Sequence, residues 1–267
     1  MKITTVVLLG LFLFFVQTGF AQTTKKIIDQ ANANKERRES ANTSNSSRTS
    51  SSSDDDYEGG DVGDFLFLFE GIVYLFHGIG QLQGLVLNSE RDKDIKRITS
   101  LELQSQYGAI PTDYQISSSR IQANWGLFSA SLRYYHQFEN RVGNPATYNT
   151  LDAQLLQLNV LPFKHFNARL GIGIMKEYVT DITFPERTLA VDIYPTKRLR
   201  FNVEGRFVRD GDTETQVRRE WNVGTYYQIG KGKGALSFHG HVNAMHARYY
   251  ESVDIWMVSG GLSMQLE

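Results

Sequence analysis

In the stretch LRFNVEGRFV, Leu199, Phe201, Val203, Gly205 and Phe207 fall on one face, with Arg200, Asn202, Glu204 and Arg206 on the other. Successive side chains of a strand point to opposite sides, so strict alternation over such a length specifies a strand with one apolar and one polar face. The same period recurs in NARLGIGI, WNVGTYYQI, ALSFHGHVNA and VSGGLSMQL. It predicts strands at about 98–108, 113–125, 127–139, 149–161, 166–178, 187–195, 198–209, 217–230, 234–247 and 252–266. An all-β chain is therefore expected.

The connections sharpen that expectation. GAIPTD, ENRVGNPATYN, EYVTDITFPER, RDGDTETQVR and ARYYESV read as longer or more polar than the alternating set WG, PFKH, PTKR and GKGKG. Alternation of long and short connections is the mark of an up-and-down membrane barrel. Aromatic residues follow the same division. Tyr107, Tyr114, Tyr134, Tyr135, Phe138, Tyr178, Trp221, Tyr249, Tyr250 and Trp256 fall near the longer connections, and Trp125, Phe128, Phe163, Phe166, Tyr194, Phe201 and Tyr226 near the short ones. They are expected to form two girdles at the lipid–water interfaces. The fold predicted is a ten-stranded antiparallel up-and-down transmembrane β-barrel over 98–267, with both of its ends on the short-turn side.

What precedes the barrel divides in three. Lys2, the apolar run Val6 to Val16, and Gly19 and Ala21 before Gln22 have the form of a secretory signal peptide over 1–21. The chain has no Cys, which excludes disulfides, Cys metal sites and a lipid anchor on a cleavage-site Cys. Residues 22–64 include ANTSNSSRTSSSSDDD, with no large apolar side chain. This segment is expected to be a disordered periplasmic tether. Its acidic run lacks the spacing of a calcium loop. FLFLFEGIVYLFHGIGQLQGLVL, within 65–88, fits an amphipathic helix instead. Glu70, Tyr74, His77 and Gln81 fall on one narrow stripe of a broad apolar cylinder. The expectation is a helix at the membrane interface, with that stripe facing water or a partner.

Over about 98–267 the chain resembles the small single-chain outer-membrane β-barrels of Gram-negative bacteria. The resemblance lies in the alternating segments and their connections, and it implies residence in the bacterial outer membrane. One departure is the ending MQLE, since many such barrels end on an aromatic residue.

In a barrel the polar faces point inward. That places Glu102, Arg133, Arg169, Arg200, Glu204, Arg206, Glu220, His239 and His241 in a lumen network, with Gln104, Gln106, Asp192, Asn222 and Asn243 beside them. Arg169, Arg200 and Arg206 are expected to pair with carboxylates such as Glu102, Glu204 and Glu220, because a buried charge left alone is costly. Eight-stranded barrels are filled by their interior side chains, and ten strands are only slightly wider. The lumen then reads either as a salt-bridged plug or as a narrow polar path. His239 and His241 share a face and could hold a metal if another strand supplied a carboxylate or imidazole, but such a pair more often fills the lumen. KGKG is a turn rather than a phosphate loop, since no helix follows it. No catalytic, cofactor or metal residue is assigned and no cofactor is expected. The net charge of −1 gives no nucleic-acid footprint. The partners expected are outer-membrane lipid and other envelope proteins, reached through the tether, the helix or the outside loops. The leading function expected is a non-enzymatic structural or partner-binding barrel. A small channel or transporter is the alternative, and an outer-membrane enzyme comes third.

The interfacial helix has its own test. In permeabilised cells His77→Cys is expected to react with a membrane-impermeant thiol reagent while Ile79→Cys is protected. Equal protection would mean a transmembrane segment, and equal labelling no membrane contact.

Overall fold

The computed structural model describes residues 23–46, 99–110, 114–139, 145–159, 165–232 and 235–266. The signal peptide expected over 1–21 and the helix expected over 65–88, with Glu70, Tyr74, His77 and Gln81, lie outside the described residues.

Ten strands follow one helix: α1 (Thr23–Ser46), β1 (Thr99–Ile110), β2 (Tyr114–Trp125), β3 (Phe128–Glu139), β4 (Ala146–Asn159), β5 (Phe166–Glu177), β6 (Ile182–Thr196), β7 (Leu199–Arg209), β8 (Gln216–Lys231), β9 (Leu236–Tyr249) and β10 (Val253–Leu266). Each strand pairs antiparallel with its sequence neighbours. The sheet closes because β1 also pairs with β10, from Leu101↔Leu266 to Gly108↔Ser259. Closure matters because the wall then has no open edge of unpaired backbone groups, for which lipid offers no partner.

The outer face is apolar across strands. Val191, Val203, Val223, Ala244 and Val258 are successive register partners around β6 to β10. Leu103, Ile121, Leu132 and Ala153 continue the band around β1 to β4. Val223, Val242 and Leu262 are each more than half exposed. A continuous apolar belt of this kind far exceeds the patches that water-soluble proteins tolerate. No described helix is long and apolar enough to cross a membrane. The crossing elements are the strands.

Two expectations about the connections are corrected. β6 starts at Ile182 rather than near 187, so most of EYVTDITFPER is strand and the β5–β6 connection shrinks to 178–181. Pro185 concealed this, because proline gives no ladder donor. It sits where β6 still pairs with β5, through Ile174↔Pro185, but has already run past β7, whose last pair is Glu186↔Val208. β4 likewise starts at Ala146. The lengths therefore sort less cleanly than the sequence suggested. The 160–165 connection, on the nominally short side, matches 140–145 and 210–215 in length. The tight turns are real at 126–127, where Gly126 takes φ 71°, and at 197–198.

The aromatic girdles are also corrected. Tyr107, Tyr134, Tyr178, Trp221 and Trp256 do face out near the longer connections, and Trp125 and Phe201 near the other end. Tyr114, Tyr135, Tyr249 and Tyr250 turn inward and are buried, as are Phe128 and Tyr226. Nearness to a strand end says nothing about face. Tyr134 and Tyr135 are adjacent and the pleat sends them to opposite sides.

Residues 22–64 contain more order than their polarity implied, since α1 occupies Thr23–Ser46. Ile27, Ala31, Asn34 and Arg38, spaced by three and four, lie along one side of α1. Ile27 and Ala31 join a buried cluster with Tyr114, Tyr135, Tyr148, Phe184 and Met245 inside the barrel mouth. α1 spans that mouth. The Thr24 backbone N–H donates to Glu139 at 2.9 Å, while the Asn34 side chain donates to Asp210 at 2.7 Å on the other rim. Both rims belong to the end that carries the 140–145 and 210–215 connections. Thr99 and Leu266 are at the opposite end, where the tether was expected.

The seam can be tested directly. Unboiled protein is expected to migrate apart from boiled protein on a denaturing gel. Ser105→Pro removes a donor from the centre of the β1–β10 ladder and is expected to abolish the folded band. A folded band that survives the substitution would contradict closure through this seam.

Candidate functional site

The lumen is layered along the barrel axis. Near the short-turn end, Arg200 donates to both oxygens of Glu102 at 2.8 and 2.6 Å and lies over the Tyr226 ring at 4.0 Å. Arg169 pairs with Asp192 at 2.8 Å, and Asn202 donates to the same carboxylate at 2.9 Å. Next comes a polar level of Gln104, Gln106, Ser118, Arg120, Asn222, Tyr226 and Asn243 around a cavity of about 30 Å³. Such a volume has room for about two waters. The His241 ring packs against Tyr226 at 4.9 Å, and its Nε2 lies 3.3 Å from the Gln104 amide nitrogen. His239 lies two residues along the same strand, and no cluster of three or more metal-ligating side chains occurs among the described residues.

Above that level is a belt of buried ion pairs. Arg133 donates to Asp152 at 2.8 Å and forks onto Glu220 through both terminal nitrogens, the longer contact being 2.9 Å. Arg218 pairs with Glu186 at 2.8 Å and with Asp152 at 2.9 Å. Arg206 pairs with Glu204 at 2.5 Å and with Glu186 at 3.3 Å. Arg206 and Arg218 are fully buried. Taking these charges from water costs several kcal/mol per ion, so the belt holds only because each guanidinium meets a carboxylate at hydrogen-bond distance. Room for it comes partly from Gly171, where a Cβ would run into Thr188 and Gln154.

The mouth is closed by tyrosines and α1. Buried Glu177 accepts hydrogen bonds from Tyr148 at 2.8 Å, Tyr250 at 2.7 Å and Thr180 at 2.5 Å. Burial, and then the Glu177 carboxylate, push the Tyr250 hydroxyl far above its ordinary pKa, so it stays a donor. Tyr250 takes a left-handed φ of 48° in the β9–β10 connection and is held there by its N–H bond to the Val217 carbonyl at 3.0 Å. Arg38 of α1 adds ion pairs to Asp210 and Asp212 on the rim.

The sequence-derived set is thus divided among levels. Glu102 meets Arg200, and Arg206 meets Glu204, while Arg169 takes Asp192. Glu220 goes to Arg133. Four contributors to the network were not among the residues assigned to it: Arg120, Asp152, Glu186 and Arg218. Asp152 and Arg218 share the inward parity of their strands, in TYNTLDAQ and QVRREWN, and that alternation could have located them. Glu186 was hidden in the misread connection. The role of Glu139, Glu177 and Asp210 as rim partners has no local signal, because it depends on α1 and on the tyrosines.

No family model matches the chain, and no curated protein matches it. Solved structures do resemble it. The NanC porin is 10% identical, over 62% of this chain and 99% of that one, with a TM-score of 0.37. The KdgM porin is 12% identical, over 63% and 98%, with a TM-score of 0.32. The outer-membrane channel OccD1 (OprD) is 12% identical, over 63% and 56%, with a TM-score of 0.29. These are likenesses of fold. The closed wall, the apolar exterior and the polar, charge-paired interior define a bacterial outer-membrane β-barrel of porin-like architecture. The leading function expected from the sequence, a structural or partner-binding barrel, is corrected here. The NanC and KdgM structures named above are porins, which fits the channel alternative better than a structural role.

The belt predicts a contrast between neighbours on β8. Arg218→Leu removes one buried cation from the belt, leaving Asp152 to Arg133 and Glu186 to Arg206, and is expected to cost about 3 kcal/mol. The outward-facing Arg219→Leu is expected to change stability by about 0.5 kcal/mol or less. Urea denaturation of both variants in detergent micelles checks this, and equal midpoints would mean that Arg218 is not paired in a buried site.

Proposed function

We propose that the protein is a small outer-membrane channel for polar solutes, closed in the described conformation. The observation that supports this reading most is the change of lumen chemistry along the axis. From the short-turn end inward the lining is amides, hydroxyls and ion pairs around a water-sized cavity. A scaffold barrel gains nothing from a hydrated interior when apolar filling of the same volume is as stable or more so. The apolar closure is concentrated at the other mouth, where α1 completes it with Ile27 and Ala31.

α1 is the removable part. It is not part of the barrel wall, and it is fastened by a few side chains: Thr24 to Glu139 and Gln137, Asn34 to Asp210, and Arg38 to Asp210 and Asp212. Burying one Ile is worth about 1.5–3 kcal/mol, so small changes in α1 shift a closed population measurably. An even strand number puts Thr99 and Leu266 on one side of the membrane; with that side periplasmic, as the tight turns at 126–127 and 197–198 favour, α1 lies across the outer mouth.

Planar-bilayer recordings of the purified full-length protein test the reading. Wild-type openings are expected to be rare and small. Ile27→Asp combined with Arg38→Glu, confirmed as folded by its unboiled gel mobility, is expected to raise open time. Asn34→Cys with Asp210→Cys, in a chain without other cysteines, is expected to lock the mouth shut under oxidation and free it on reduction. Absence of conductance from folded protein, in the α1 variant as in the wild type, would overturn the channel reading.

A further inference from the structure

We infer that Arg120 forms a carboxylate-binding subsite in the lumen, a place where a small organic monoanion is held by the free edge of its guanidinium. The inference deepens the channel reading and rests on it for its purpose, while the subsite itself stands on geometry.

Arg120 and Arg133 are register partners on β2 and β3, so two cations stand side by side on the inner wall. Like charges directly opposite repel unless anions compensate them. Arg133 is fully compensated, with Nε on Asp152 and both terminal nitrogens on Glu220. Arg120 is not. Its Nη1 pairs with Glu204 at 2.6 Å, but Glu204 is shared with Arg206 at 2.5 Å. Arg206 also reaches Glu186 at 3.3 Å, whereas Glu204 is the one carboxylate that Arg120 meets among the described residues.

The donors left over have a specific shape. Nε and Nη2 of Arg120 are buried and have no hydrogen-bond partner among the described residues. These two N–H groups lie on one edge of the guanidinium and point the same way, forming the parallel fork that matches the two oxygens of a carboxylate. A buried donor left unmet is costly, more so when it is charged, so the edge favours an acceptor. Arg120 lines the cavity of about 30 Å³, together with Ser118 and Tyr226. That room suits one carboxylate group. Glu204, close on the Nη1 side, sets the limit on charge. A monoanion answers the single free edge, whereas a dianion brings a second negative charge against that carboxylate.

The test uses full-length protein in detergent and 13C-labelled sodium formate as the probe, at constant ionic strength made up with chloride. Line broadening of the formate signal is expected to saturate in the wild type. Arg120→Lys keeps a cation beside Glu204 but loses the fork, and it is expected to weaken formate binding by about tenfold. Arg120→Gln is expected to abolish it, with Glu204 still paired to Arg206. Arg219→Gln, on the outer face, is expected to bind as the wild type does. Wild-type affinity in Arg120→Lys would overturn the subsite, as would equal competition by chloride, since either result would mean charge attraction without fork recognition. Conductance of the same preparations separates this inference from the channel reading. Binding without conductance overturns the channel and leaves the subsite. Conductance without binding that depends on Arg120 overturns the subsite alone.

Discussion

Closure of the sheet through β1 and β10 is the constraint on which the rest of the structure depends. In lipid an unpaired backbone group has no solvent to turn to, and a ten-strand sheet with open edges would leave two rows of them. Once Leu101 to Gly108 pair with Ser259 to Leu266, the wall is self-sufficient and each strand has one side for lipid and one for the lumen. The alternation seen along LRFNVEGRFV becomes a division of the whole molecule into two environments.

Closure also creates the problem that the lumen solves. Ten strands enclose a volume that must be filled, hydrated or plugged. This chain fills the middle with guanidiniums and carboxylates held at 2.5–3.3 Å. Such a belt is rigid because each charge is stable only against its partners, and shifting one strands another. The mouth is filled differently, by tyrosines, methionines and one face of α1. The carboxylates that fasten α1, Glu139 and Asp210, lie at the rim where water can replace their partners, so α1 can leave at lower cost than any belt residue. The two fillings therefore suit different tasks, a fixed polar interior and a cover that comes away.

Between them lies the level where compensation is incomplete. Arg120 and Arg206 share Glu204, and the far edge of Arg120 is unmet. A barrel built only to be stable would place a second carboxylate there, as it does around Arg133. Arg169, Arg206 and Arg218 each leave one buried nitrogen unmet among the described residues, but Arg120 leaves two on one edge.

The sequence by itself determined the wall. Period-two alternation fixes which side of each strand is apolar, and ten such segments with turns between them leave an up-and-down barrel as the natural arrangement. It also determined which residues are inward in well-marked strands, such as Glu102, Arg200 and Glu204. Pairing was decided only by the tertiary structure. The partners of Arg218 are Asp152 on β4 and Glu186 on β6, and register around a closed ring, not parity along one strand, brings them together. Tertiary structure alone decided the fate of α1 too. The charged, amide-rich TTKKIIDQANANKERRES is too polar to announce a buried helix, and Ile27 and Ala31 become core only because Tyr135, Tyr148 and Phe184 from distant strands converge to receive them. Alternation is a local property of the backbone and can be read residue by residue. A binding partner across the lumen is a property of closure, which no local stretch contains.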